Sequence, residues 1–401
     1  MDLTYSSEHE EFRKSALDFA RRVVEPGLRE RDEQAKPDEA IYRRMGAEGY
    51  LGVCIPERYG GLGLDYHSLA ILSDAFEYVD TSARVILSVH IGLHALALLQ
   101  WGTEAQKQKY LAPAARGEKL ATFCLTEPAC GSDVAGLQTF AEKKGERYVL
   151  QGEKIWISLS TAADQYLVMA YTDREKQKAR DHHGISAFIV ERSWKGVAPY
   201  ALKGKLGVRA GITGGVAFKD VEVPAENMLG QPGEGFKVAM SALDNGRYTV
   251  AAGSVGLMRA CLDASAKYCH ERMTFKREIG KHQLVQQMIA FMIQSIEVGD
   301  LLVRKCGWLK NQGRRCTQEV SLAKWTNTVN AQACADHAIE IHGAYGYSNE
   351  FPVERFWRNS RGAVIYEGSK EVHQVMQAEY ALGYREDAPL RCELPAWPFK
   401  G

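Results

Sequence analysis

The chain has 401 residues, 45% of them hydrophobic and 25% charged, with 50 Lys+Arg against 50 Asp+Glu and a formal net charge of +0. This is the composition of a folded globular protein with core enough for two or three units, and it leaves no electrostatic case for nucleic acid or a membrane surface. Nine cysteines, with neither C-x-x-C nor regular spacing, argue against a disulfide framework and for a reducing, cytoplasmic setting.

Met1-Asp2-Leu3-Thr4 lacks a basic n-region and an apolar h-region, so no export signal is expected, and the apolar stretch 91–99 reads as too short to span a bilayer. From residue 3 to about 120 the pattern is helical: Phe12, Leu17, Phe19, Val23 and Val24 form a stripe that Pro26 interrupts. Segment 56–63 is too rich in turn formers for a helix, and it is neither a phosphate loop nor a dinucleotide fingerprint. Stretches 69–76 and 85–99 read as buried helices, with Arg84 and Ser88 one turn apart at the head of the second. An arginine there is costly to bury unpaired, so its partner is either a bound anion or a nearby carboxylate, Asp80 or Glu77.

Between 121 and 232 strand formers take over, in 166–171, 185–190 and 216–223, separated by charged turns and closed by Pro224. His182-His183 beside Gly184 reads as a solvated turn, and no metal is assigned. Helical patterns return over 233–386, where Leu284, Met288, Phe291, Met292 and Ile296 recur at helical steps, and residues 387–401 form an irregular tail. With no G-x-S-x-G and no H-E-x-x-H, hydrolase readings have no support.

Late in the chain stands Ile365-Tyr366-Glu367-Gly368-Ser369. An apolar wall of Ile365 and Tyr366 would raise the proton affinity of Glu367 into the range of a base, and Gly368 would let another molecule approach the backbone. Alone, the same letters describe an ordinary glutamate before a helix, with Ser369 and Glu371 in its first turn.

Three separated motifs change this reading. Phe123-Cys124-Leu125-Thr126-Glu127-Pro128-Ala129-Cys130-Gly131-Ser132-Asp133, then Lys154-Ile155-Trp156-Ile157-Ser158, then Tyr366-Glu367-Gly368 together resemble the signatures of the acyl-CoA dehydrogenase flavoproteins, in the family's order, over almost the whole chain to about residue 385. The resemblance implies an α+β fold: an N-terminal helical domain (1–120), a middle β-barrel or sandwich domain (121–232), a C-terminal four-helix bundle (233–386) and the tail. It also implies FAD, a thioester substrate, abstraction of the α-proton by Glu367 and loss of the β-hydrogen as hydride to the flavin. The developing enolate-like charge would be met by the Glu367 N–H and a ribityl hydroxyl.

Carried over by position, Phe123, Leu125, Thr126, Gly131, Ser132, Trp156 and Ser158 would line the flavin. Arg272, Thr274, Phe275 and Gln283 resemble the segment that holds the pyrophosphate, where a guanidinium suits phosphate geometry. Glu340, Gly343 and Ala344 follow the same pattern, with Ala344 a departure from a family glycine, and Ser369 and Glu371 match further flavin positions. Family members place some of these segments against a neighbouring subunit's cofactor, which implies a homotetramer built as a dimer of dimers, with an electron-transfer flavoprotein as electron partner.

For the substrate, Ser132, Asp244, Arg247 and Gly368 match thioester-contacting positions. Gly246, where some relatives keep their base, cannot act as one, which favours Glu367. Arg84 and Ser88 resemble the pair that binds the distal carboxylate in glutaryl-CoA dehydrogenases, so the expected substrate is a short acyl-CoA, glutaryl-CoA or another dicarboxylyl-CoA. Tyr366 resembles the decarboxylating glutaryl enzymes and the 343–348 segment the non-decarboxylating ones, which leaves the fate of a carboxylate open. A short monocarboxylyl-CoA or carrier-protein thioester, a flavin oxidase, and a non-catalytic binding module are the alternatives.

Overall fold

The computed structural model describes residues 3–399. Helix α1 (Ser7–Phe19) starts at Ser6, whose side chain accepts from the His9 N–H, satisfying one of the donors a helix start leaves open. Its apolar stripe runs on through a wider turn over Ala20–Val24, burying Phe19, Val23 and Val24 as expected. Helix α2 (Tyr66–Val79) is capped by the Asp65 carboxylate on the Ser68 N–H.

The following helix, α3 (Thr81–Trp101), is longer than the apolar stretch 91–99 suggested. By length and composition it could cross a membrane, yet 94% of its most apolar window lies inside the protein, so it is the core helix of the N-terminal domain. Its central residues Leu87–Ala95 adopt the wider π coil, as Ala20–Val24 and Lys107–Leu111 do.

The middle domain is built on an eight-stranded sheet ordered β6 (Val197–Ala201), β7 (Thr213–Pro224), β3 (Arg147–Ser158), β2 (Phe140–Lys144), β4 (Gln165–Tyr171), β5 (Ile185–Glu191), β8 (Met228–Leu229), with β1 (Ala121–Cys124) parallel to β4. Every residue of β4 is buried. A strand covered on both faces needs no polar alternation, which is why residues 166–171 read as a continuous apolar run.

Three long helices form the bundle, α4 (Gly235–Glu271), α5 (Gln283–Asn311) and α6 (Thr317–His342), and its fourth member is split into α7 (Val353–Ala363) and α8 (Lys370–Leu382). Helix α4 is the axis of the molecule, packing on α2, α3, α5 and α6. Small residues permit this: a Cβ on Gly256 would lie 2.1 Å from the Asp74 carbonyl oxygen of α2. The break between α7 and α8 carries Glu367.

Candidate active site

Past the end of α7, the Ile365 and Tyr366 N–H groups both donate to the Gly362 carbonyl, at 2.9 and 3.1 Å, and Lys370 N–H donates to Val364 at 3.0 Å. The turn these bonds close puts Glu367 at φ +57° and Gly368 at φ +100°. A left-handed glutamate costs about 1–2 kcal/mol and persists only where the surroundings hold it. Two cations do so here. Arg247 Nε donates to the Glu367 carbonyl at 2.9 Å, and Lys324 Nζ donates to the Gly368 carbonyl at 2.6 Å.

The Glu367 side chain turns inward. Its Oε2 is sealed from solvent and has no hydrogen-bond partner among the described residues. Burial pushes its pKa up from 4.5 to about 7, against the lowering pull of Arg84, Lys324 and Arg247. The expected apolar wall needs one correction: Ile365 points outward and is 57% exposed, because the left-handed turn that follows sends only Tyr366 and Glu367 inside. Leu93 of α3 takes its place. A Cβ on Gly246 would lie 2.7 Å from Leu93 Cδ2 and 2.1 Å from Glu367 Oε2, so carboxylate and leucine flank the space that this glycine leaves open on α4.

Two turns further along α4, a Cβ on Gly253 would lie 2.6 Å from a Glu77 carboxylate oxygen and 2.9 Å from Arg84 Nε. Arg84 is 1% exposed. Its Nε donates to Glu77, Nη1 to Ser88 Oγ at 2.8 Å and Nη2 to the Tyr366 hydroxyl at 2.6 Å. The carboxylate partner considered from the sequence is therefore present, and it is Glu77. Three of the five guanidinium N–H groups are engaged in this way. Ser88 Oγ in turn shares a 2.6 Å hydrogen bond with Thr249 Oγ1 of α4. Asp244 accepts from Thr317 Oγ1 at 2.6 Å and pairs with Arg247 Nη1 at 3.3 Å; these two residues thus brace the turn that holds Glu367.

The first two motifs meet in the middle domain through a buried ion pair that the sequence reading gave no role. Lys154 Nζ lies 2.7 Å from Glu127 Oε1 and donates to the Leu125 carbonyl at 3.0 Å. Glu127 also accepts from the Gln138 and Thr139 N–H groups at 2.6 and 3.0 Å, and Ile155 N–H donates to Thr126 O at 3.0 Å. Leu125 and Thr126 are thereby fixed beside Trp156. Trp156 is no core residue: it sits at φ +63°, at the register shift between Ile155 and Ile157, and the bulge throws its indole out to 61% exposure. The Ser158 carbonyl accepts from Thr122 Oγ1 at 2.6 Å, Phe123 and Leu125 are buried, and Gly131 and Ser132 are exposed. The Ala121 N–H donates to His90 Nδ1 at 3.1 Å, tying this unit to α3, the helix of Arg84 and Leu93. Lys154→Met should strand Glu127 and cost about 3–5 kcal/mol in denaturant unfolding, most of it recovered by adding Glu127→Leu. A loss under about 1 kcal/mol would show that the pair does not hold this corner.

Other predicted residues gather elsewhere. From Gly246, α4 runs about 38 Å to its C-terminal end, where Arg272 follows. There Thr274 Oγ1 bonds His282 Nε2 at 3.1 Å, Phe275 is 90% exposed, and Tyr268 stacks on His342 at 4.3 Å, which brings the end of α6 alongside with Glu340, Gly343 and Ala344. Within one chain, Arg272, Thr274, Phe275 and Gln283 do not reach Glu367. Ser369 is the residue before α8, and Glu371, exposed in its first turn, is held low by its own N–H and the Ser369 hydroxyl. The His182-His183 turn has a third polar neighbour that the sequence reading did not count: Asp181 brings a ligand atom within 4.8 Å of both rings. Its carboxylate already accepts from the His183 N–H at 2.9 Å.

A turn holding a desolvated carboxylate, a bulged strand presenting an indole, and helical domains on either side of a β domain define a thioester-dehydrogenase class of fold and site. Three family models match in order: acyl-CoA dehydrogenase N-terminal domain over residues 6–118, middle domain over 122–221 and C-terminal domain over 233–382. The chain belongs to the acyl-CoA dehydrogenase family, FAD-dependent oxidoreductases. It is 38% identical to a glutaryl-CoA dehydrogenase of Desulfococcus multivorans over 96% of this chain and 99% of that protein. It is also 38% identical to a short-chain specific acyl-CoA dehydrogenase of Clostridium acetobutylicum, over 94% and 98%. The structure of a glutaryl-coenzyme A dehydrogenase glutaryl-CoA complex superposes with a TM-score of 0.92 at 37% identity, covering 96% of this chain and 98% of that one. The residues present suit FAD: an exposed indole offers a face for the ring system, and Arg272 beside an exposed Phe275 offers a cation and an apolar contact.

Proposed function

We propose that the chain dehydrogenates the Cα–Cβ bond of a short acyl-CoA carrying a second, distal carboxylate, with Glu367 as the base. The observation that carries this reading is the Glu367 Oε2, buried without a partner and raised to about 7. Desolvation suits it to take a weakly acidic α-proton near neutral pH. When bound, FAD supplies the hydride acceptor. The chain's own part is to place the carboxylate, to keep water from it with Leu93, and to offer the Glu367 N–H, which has no backbone acceptor among the described residues, to the carbonyl oxygen on which charge develops.

The spacing and polarity along the α4 face between Glu367 and Arg84 support the rest. Gly246, Thr249 and Gly253 share one face of α4, with the base over the first and Arg84 over the last, roughly 10 Å apart. Two contacts of about 3 Å each, one at either end, leave room for the few carbons of a short chain. The far end is polar: Arg84, Ser88, Thr249 and the Tyr366 hydroxyl converge there, a poor floor for a hydrocarbon tip and a good one for a carboxylate. A second reading, a short monocarboxylyl-CoA, is favoured by Glu77, which already neutralises Arg84.

Anaerobic bleaching of the holoenzyme flavin by glutaryl-CoA and butyryl-CoA decides between them. Arg84→Ala, compared on the high-pH plateau because Arg84 is also a cation facing Glu367, should cost the diacid about 2–4 kcal/mol, a factor of about 30 to 1000, and leave the monoacid within a few-fold. Equal losses on both would refute the diacid reading, and no bleaching by any short thioester would refute the function.

The distance from Glu367 to the Arg272 and Ala344 end of the bundle supports a further part of this proposal: those residues serve the cofactor of a second copy, in a dimer of dimers. Leu284, Ile293 and Leu301 of α5 are each at least half exposed, apolar surface of the kind that a partner covers. An electron-transfer flavoprotein would accept the electrons.

A further inference from the structure

The N-terminal part of α6 presents Thr317, Ser321, Lys324 and Thr328, all buried, at the three- and four-residue steps of one helix face. In an otherwise apolar stripe of Val320, Ala323, Ala331 and Ala335 these are polar members together with Asn327, whose amide donates to the Ala251 and Gly299 carbonyls at 3.0 and 3.1 Å, and each has a purpose. Thr317 holds Asp244, Ser321 bonds His373 Nδ1 at 2.9 Å, Thr328 bonds back to the Lys324 carbonyl at 2.8 Å, and Lys324 holds the Gly368 carbonyl. Lys324 is the unusual one. Its side chain is 0% exposed, and among the described residues no carboxylate lies within ion-pair distance of it. A buried ammonium whose one hydrogen bond goes to a peptide carbonyl is costly unless its charge is used.

We propose that Lys324 is a positioning residue of this active site: it pins the peptide after Gly368, next to the base, and adds to the positive field that helps the buried carboxylate hold its charge. This rests on Glu367 being the base. The carbonyls of the two consecutive peptides after Glu367, its own held by Arg247 and that of Gly368 by Lys324, fix the left-handed backbone from which the carboxylate projects. Holding charge on Lys324 is also easier when Glu367 is ionised, because each stabilises the other's charged form across the turn. The Lys324 pKa is lowered to about 7, chiefly by burial, with Glu367 opposing the shift, Arg247 and Arg84 adding to it and Glu371 opposing it.

The charged groups that face Glu367 come from every element around it: Arg84 from α3, Arg247 from α4, and Lys324 from α6. His373 of α8 stands next to the turn, with a Cβ on Gly368 falling 3.0 Å from its Nε2; burial and the two neighbouring cations hold it neutral, down to about 3. Arg84 is spoken for by Glu77, and Arg247 pairs with Asp244. Lys324 is therefore the cation near the base whose charge no carboxylate within ion-pair reach compensates.

The test is the pH profile of anaerobic flavin bleaching by butyryl-CoA, in the wild-type holoenzyme and three variants. Lys324→Met removes both charge and donor, Lys324→Gln keeps a donor without charge, and Lys324→Arg keeps the charge. Removing a cation raises the pKa of the base, so the acid limb should move to higher pH by about half a unit to one unit in Met and Gln and return towards its original position in Arg. The limiting rate at high pH should fall in Met by more than in Gln, because only Met leaves the Gly368 carbonyl unheld. An acid limb that stays in place in both neutral variants, with flavin content and melting temperature unchanged, overturns the proposal. If Met does not fold, the Gln and Arg profiles still decide it. Glu367→Gln separates the two levels: bleaching retained in that variant would remove the base itself, whereas its collapse together with an unmoved limb in the Lys324 variants would remove only the role of Lys324.

Discussion

Glu367→Gln is expected to retain FAD and to bind acyl-CoA while flavin bleaching falls by on the order of 10³ to 10⁴-fold, the scale of a lost general base. The amide is nearly the same shape and can stay in the left-handed turn, because Arg247 and Lys324 grip the backbone and not the carboxylate. In the wild type the base must be ionised, so bleaching should weaken as pH drops through about 7, the value to which burial lifts Glu367. The same shift has a consequence for stability. A carboxyl whose folded-state pKa is raised gives the native state a stabilising contribution that is fully present below the unfolded value near 4.5 and is lost as pH rises through about 7. Glu367→Gln should therefore unfold at the same point as wild type near pH 4.5 but be more stable by roughly 3 kcal/mol at pH 8. Bleaching within a few-fold of wild type would refute the assignment of the base, and equal stability of the two proteins at pH 8 would refute its burial.

What the letters disclosed and what they hid divide along physical lines. Apolar period and strand composition placed α1, β4, β5, β7 and α5, because an apolar stripe or a doubly buried strand is written directly in residue type, although of the α5 stripe Met292 and Ile296 are buried and Leu284 is exposed. The split between α7 and α8 is local too, since Gly368 after Glu367 marks a backbone that must turn. Trp156 was harder: a β-branched neighbourhood reads as regular strand, and nothing local announces that the strand bulges there and turns the indole outward. The partner of Arg84 was open for a different reason. Glu77 lies seven residues upstream on α2, across the break at Asp80, so helical spacing cannot show that the two meet. Lys324 had a signal that could have been read: a lysine at a buried step of the stripe through Val320, Ala323 and Ala331, where an ordinary helix would place another apolar residue. The grouping of Arg272 with Ala344 depends on α4 and α6 ending side by side, which is a fact of packing and not of sequence.

Gly246→Ala should separate activity from stability in the opposite way to a core mutation. A methyl there would stand 2.1 Å from Glu367 Oε2 and 2.7 Å from Leu93 Cδ2, and both of those atoms are ends of side chains that can move. The backbone constraint nearby belongs to Gly92, whose own Cβ would lie 3.0 Å from the Gly246 amide nitrogen, and Gly246→Ala leaves it untouched. Helix α4 loses nothing by the change, since alanine in a helix interior is favoured over glycine by about 0.5–1 kcal/mol. The carboxylate does lose: to clear the methyl it must shift by an ångström or so, and a displacement of about 1 Å at a reacting group is enough for a 10²-fold loss. The expected result is a protein that keeps its flavin and melts within a few degrees of wild type, yet bleaches with butyryl-CoA about 10²-fold more slowly. Near-normal bleaching would mean that the base does not act from over Gly246. The space above this glycine would then belong to the acyl chain alone, and the 10 Å measure between base and Arg84 would have to be abandoned with it.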